Sequence, residues 1–104
     1  MYTSWVDIHF QIKGERFVWN HEKAASNKIK HGISFEEAAE VFLDPFVEFL
    51  TADVEGEDRE AALGLTHVHT LLYVVNIDHE DSSIRIISAR KATASERRFY
   101  EDRA

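Results

Sequence analysis

Between residues 84 and 100 the chain reads IRIISARKATASERRFY, which places five cations, a carboxylate and a phenol in one short stretch. Arg85, Arg90 and Lys91 stand on a segment with strand character, and Glu96, Arg97, Arg98 and Tyr100 on a helix that begins within three residues. Such a set suits a phosphodiester. Guanidinium groups stay protonated, and their planar fork matches two phosphate oxygens at once. Arg85 and Arg90 are the expected charge-stabilising pair, with Arg59 on a neighbouring strand as a third cation. The plainer reading makes one of these arginines a structural ion pair with Glu96. Nearby cations lower a carboxylate pKa, so Glu96 is expected to orient an arginine rather than serve as a base. Tyr100 either stacks on a base or assists proton transfer, against the simpler role of a half-buried core aromatic.

A second basic segment, NHEKAASNKIKHG, spans residues 20–32. At 100° per residue Lys23, Asn27, Lys30 and His31 share one helical stripe, while Ala25 and Ile29 lie together on another side. Histidine is the side chain best suited to give and take a proton near neutral pH, so His31 or Lys28 is the candidate for proton transfer. A histidine just before a helix-stopping glycine also serves the last carbonyls of the helix. Lys23, Lys30, Lys91, Arg97 and Arg98 are the candidate phosphate-binding cations, against the common case of a solvated face. His67 and His69 share one side of an extended segment, but no carboxylate completes a metal site there. No metal and no cofactor is expected.

These groups need elements to hold them. Val6, Ile8, Phe10 and Ile12 alternate with polar neighbours, which predicts a strand with one buried face, and Gly14 permits a turn. Arg16 to Trp19 continues it. Asn20 caps a helix from His21 to about Lys30 that Gly32 stops. Ser34 and Glu37 form a capping box for a second helix ended by Asp44 and Pro45. Strands follow over Phe46 to Thr51, Arg59 to Thr66 and Leu71 to Ile77, the last being central because it is β-branched and almost wholly apolar. An acidic loop from Asp53 to Asp58 separates the first two of these, and a turn over His79 to Ser82 precedes a last strand from Ser83 to Ala89. Thr93 and Glu96 repeat the capping box before a helix over Ala94 to Arg103. The sequence thus predicts an α+β fold, with two N-terminal helices and a C-terminal helix packed on an antiparallel sheet.

The chain has 104 residues and 44% hydrophobic content, enough for a single domain with one modest core. Residues 1–15 are read as an N-terminal strand extension of that domain. With no cysteine there is no disulfide framework, and no apolar run reaches membrane-spanning length, so a cytoplasmic protein without a membrane partner is expected. The formal net charge is −7, an unpromising balance for binding polyphosphate. The charge is unevenly distributed, however. Residues 13–31 and 85–104 are each +3, whereas residues 36–84 are −12. Local basic sites therefore persist on an acidic molecule.

The blocks FVWNHEKAASNKIKHGISFEEAAEVFLDP (residues 17–45) and IRIISARKATASERRFY, in this order and spacing, resemble the BrnT family of type II toxins. The likeness covers about residues 16–104. It implies a RelE-like fold, ribonuclease activity that needs no metal, and neutralisation by a BrnA-like antitoxin with a ribbon-helix-helix DNA-binding portion. On this reading the chain cleaves RNA to inhibit translation and touches DNA only through its antitoxin. It would assemble as a homodimer or as a heterotetramer with that partner. A reading of another class stands beside it: a non-catalytic interaction module acting as co-repressor, whose −12 middle docks a basic arm of the DNA-binding partner.

Overall fold

The computed structural model describes residues 5–52, 59–78 and 81–104. It opens with a hairpin of strands β1 (Asp7–Ile12) and β2 (Glu15–Asn20). Lys13 (φ 48°) and Gly14 (φ 86°) both take positive φ, as the two-residue turn that matches strand twist requires. Helices α1 (His21–His31) and α2 (Phe35–Glu40) follow, and a single 3₁₀ turn, Val41–Leu43, ends this part of the chain. Strands β3 (Glu48–Thr51), β4 (Glu60–Leu65), β5 (Leu71–Asp78) and β6 (Ser83–Lys91) lead to helix α3 (Ala94–Arg103).

The helix boundaries follow from local chemistry. The Asn20 side chain accepts from the Lys23 N–H, and Gly32 closes α1 at φ 72°. Both capping boxes form, Ser34 with Glu37 and Thr93 with Glu96. The predicted acidic loop, residues 53–58, lies outside the described residues, as do residues 79–80 of the predicted turn.

Among the described residues the six strands make one sheet ordered β1-β2-β6-β5-β4-β3. The expectation of an antiparallel sheet needs correction, because β2 and β6 run parallel, in the register Arg16–Ser83 to Val18–Arg85. The cause is the route of the chain. After β2 it crosses through α1 and α2 to the far edge, then meanders back through β3, β4, β5 and β6, each antiparallel to the last. The crossover sets β3 opposite to β2, and the three further reversals leave β6 beside β2 and pointing the same way. As its composition predicted, β5 is interior, buried from Leu71 to Asn76.

The helices also divide between the two sides of the sheet. Phe17, Trp19, Phe35, Ala38, Val41, Leu72, Val74, Ile86 and Ala89 form the larger core, under α2 and the 3₁₀ turn, with Ala24 of α1 packed against it. On the other side Tyr100 and Phe99 of α3 cover Ala61, Leu63, Leu71, Tyr73 and Val75. The apolar stripe of α1 is not what holds that helix. Ile29 is 88% exposed, and the buried residue of α1 is Asn27.

Gly64 marks the closest approach of β4 to the 3₁₀ turn, since a Cβ there would lie 2.9 Å from the Val41 carbonyl oxygen. Backbone cannot yield as a flexible side chain does. Gly64→Ala should therefore cost about 1–3 kcal/mol, read as a lower urea midpoint with an unchanged slope.

Candidate phosphate-binding cleft

Where β2 ends, the outer edge of β6 would lie bare, and α1 takes its place. The buried Asn27 amide accepts from the Ala89 N–H (3.1 Å) and donates to the Ala89 carbonyl (2.9 Å), pairing both backbone groups as a strand would. Its amide also donates to the Ile33 carbonyl. This clamp sets Lys23, Ser26, Lys30 and His31 of α1 against Ile87 and Ser88 of β6, and together they line a shallow cleft of about 190 Å³.

Arg90 lies two residues beyond Ser88 on the same strand. Its guanidinium is held in a fork by Glu96, with both N···O distances 2.9 Å, and sits 4.0 Å above the Tyr73 ring. Glu96 in turn accepts from the Thr93 N–H at the start of α3. Arg90 lowers the Glu96 pKa, and the Thr93 N–H adds to this against the opposing effect of burial. The carboxylate is thus engaged both by Arg90 and by the start of α3.

Arg85 reaches over β2 to Asp7 of β1 in a second fork, at 3.1 and 2.8 Å. The Arg85 hydrogen bond holds the Asp7 carboxyl below the usual range. Both candidate arginines are thus ion-paired, Arg90 with Glu96 as in the plainer reading and Arg85 with Asp7, and both pairs remain part-buried at the surface rather than in the core.

The remaining candidates are spread more widely. Tyr100 is 5% exposed, and its hydroxyl donates to Asp44, which also accepts from the Leu65 and Phe46 N–H groups. Burial and the Asp44 charge push its pKa up to about 12. The phenol therefore anchors α3 and does not face the cleft, a correction to the proton-transfer role. Lys28 points to the other side of α1, 3.9 Å from Glu37 and among Trp19, Ser34 and Glu36, apart from His31 and Lys30. Arg97 pairs along α3 with Glu101 at 3.6 Å, and Lys91 and Arg98 are exposed. Arg59 lies beside β3 with Phe49, Leu50 and Thr51, and one of its guanidinium nitrogens is buried with no hydrogen-bond partner among the described residues. His67 bonds to Glu40 at 2.6 Å in the turn between β4 and β5, and His69 takes a positive φ beside it.

Sequence reasoning had placed Asn27 on the basic stripe without a role, and had missed Asp7 and Tyr73 altogether. An amide among lysines on a helix face was the available signal for Asn27. Nothing local marks the other two.

The depressed carboxyls make a pH prediction. Glu37, held down by the Ser34 N–H, joins Asp7 and Glu96 in having a folded pKa below its ordinary value of 3.8 or 4.5. The unfolded chain takes up these protons first as pH falls, so stability is full above about pH 5 and is lost progressively below pH 4.5. Asp44 is lowered as well, against the effect of burial, by the Tyr100 hydroxyl and the Leu65 and Phe46 N–H groups, so Glu60, pushed up by burial and by Asp78, is one group against four. Urea midpoints measured from pH 7 to pH 3 should fall, and Asp7→Asn should flatten the decline.

A small α+β protein whose cleft is walled by lysines and flanked by a carboxylate-held arginine presents groups whose chemistry suits a phosphate ester. Residues 19–96 match the family described as "Ribonuclease toxin, BrnT, of type II toxin-antitoxin system". The chain belongs to this family, and so to the ribonuclease toxins that have an antitoxin as partner. Among solved structures, the 1.1 Å crystal structure of the Brucella abortus ribonuclease toxin, BrnT, is similar, with a TM-score of 0.59 and 25% identity. The likeness covers 72% of this chain and 92% of that one. No curated protein matches. Among the described residues no helix is long and apolar enough to cross a membrane.

Proposed function

We propose that this chain is a metal-independent endoribonuclease toxin that cleaves RNA in the cytoplasm, inhibits translation and is neutralised by a BrnA-like antitoxin of the ribbon-helix-helix type. The observation that supports this reading is the α1–β6 cleft, where Asn27 clamps the helix that carries Lys23, Lys30 and His31 to the strand, and Glu96 and Tyr73 hold Arg90 beside it. Preorganised charge stabilises a phosphorane without reorganisation at the moment of reaction.

In this mechanism the ribose 2′-oxygen attacks the adjacent phosphorus and the bond to the 5′-oxygen breaks, leaving a cyclic phosphate. Arg90 neutralises the non-bridging oxygens, with Arg85 further along β6. His31, on the cleft wall, takes the 2′-proton or returns one to the leaving oxygen. Lys23 and Lys30 hold neighbouring phosphates, and Lys91, Arg97 and Arg98 extend the basic surface. Tyr100 acts only by anchoring α3.

The test is purified protein incubated with RNA in excess chelator, with fragment ends analysed. Fragments ending in 2′,3′-cyclic phosphate, and growth arrest on expression relieved by the adjacent reading frame, support the proposal. Intact RNA together with tight antitoxin binding would replace it with the co-repressor reading.

A further inference from the structure

We propose that Trp5 is a stacking platform for an unpaired nucleobase of the RNA, seated at the Arg85 end of the basic cleft. The proposal rests on the ribonuclease reading and adds a subsite from outside the family-matched residues 19–96.

The two tryptophans of the chain are opposites. Trp19 is 2% exposed in the larger core, with its ring 5.8 Å from that of Phe35, whereas Trp5 is 65% exposed. Trp5 is nevertheless held in place. Its indole N–H donates to Asp7 Oδ1 at 2.9 Å, and Asp7 is the carboxylate forked onto Arg85. The next residue is tied down as well, because the Val6 carbonyl accepts from the His21 N–H at 2.9 Å, at the first turn of α1. That turn carries Lys23. One exposed ring thus sits two links from an arginine of the proposed site and next to the helix that supplies its lysines.

Every base has a π-face, and an unpaired base stacks on an indole while the flanking phosphates lie against cations. The charge on Asp7 is met by Arg85, so it does not repel a strand approaching the ring. A stacked base would fix the register of the strand along β6, and so which phosphate lies at Arg90.

The test uses the full chain and a single-stranded RNA oligomer with 2′-O-methyl groups, which cannot be cleaved. With Trp19 buried, a change in tryptophan emission on binding reports Trp5. Quenching should saturate together with binding measured by anisotropy, and an abasic oligomer of equal length should not produce it. Trp5→Ala should weaken binding by roughly 5- to 150-fold, the range found for removing one stacking aromatic, and Trp5→Phe should retain most of the affinity. The exposed position keeps both variants folded.

If Trp5→Ala binds as the parent does while Lys30→Ala binds weakly, stacking is overturned and the cleft stands. Equal losses in Trp5→Phe and Trp5→Ala would assign the effect to the bond with Asp7 and overturn it too. So would unchanged RNA binding with lost antitoxin binding, which would make Trp5 a protein contact. A parent that binds no oligomer removes the ribonuclease reading, and this subsite with it.

Discussion

Arg90→Ala should lower RNA cleavage by roughly 10²–10³-fold, the usual effect of removing one preorganised donor from a developing oxyanion. The fold should survive, because the guanidinium stands at the surface of the smaller core and the Tyr73 ring beneath it remains covered by α3. Arg90→Lys is the sharper variant. It keeps the charge but loses the planar fork that meets Glu96, so little of the activity should return. Glu96→Gln separates orientation from charge, and should cost less than Arg90→Ala because the cation is retained. Single-turnover cleavage rates check all three, and wild-type rates in Arg90→Ala would remove Arg90 from the mechanism.

The largest effect on stability is expected from Asn27→Leu. An isosteric apolar side chain at a buried helix position would ordinarily be well tolerated. Here it leaves the Ala89 N–H and the carbonyls of Ala89 and Ile33 without partners, at about 1–3 kcal/mol for each group that stays dry. A loss of about 3–5 kcal/mol is a large part of the stability of a small domain. Ile29→Ser, on the exposed face of the same helix, should stay within about 0.5 kcal/mol. The pair of urea midpoints tests whether α1 is held by hydrogen bonds or by its apolar stripe. If the two variants are equally damaging, the clamp is not what holds it.

How much of this was legible depended on distance along the chain. The starts of all three helices and the end of α1 were placed nearly to the residue because Asn20, Gly32, Ser34 with Glu37 and Thr93 with Glu96 act within one turn of themselves. Helix α2, by contrast, gives way to a 3₁₀ turn at Val41 before the expected stop at Asp44. Glu96 as the holder of Arg90 was legible for the same reason, the two being six residues apart. The parallel pairing of β2 with β6 was not, since it depends on how many times the chain reverses between them. Asn27 meets Ala89 across 62 residues, and Asp7 meets Arg85 across 78. Each looks locally like an ordinary polar residue on an outer face. Tyr100 misled in another way: a helical position that puts it beside Glu96 in projection puts its hydroxyl, in three dimensions, on Asp44.

β2 and β6 share only three rungs before their paths part. Beyond it Asn27 of α1 takes over the β6 edge, with Lys23, Lys30 and His31 on the helix and Arg90 on the strand. Their spacing is therefore set less by the sheet than by one side-chain amide beyond the last rung. A single carboxamide thereby acts as the gauge that sets how far the helix stands from the strand.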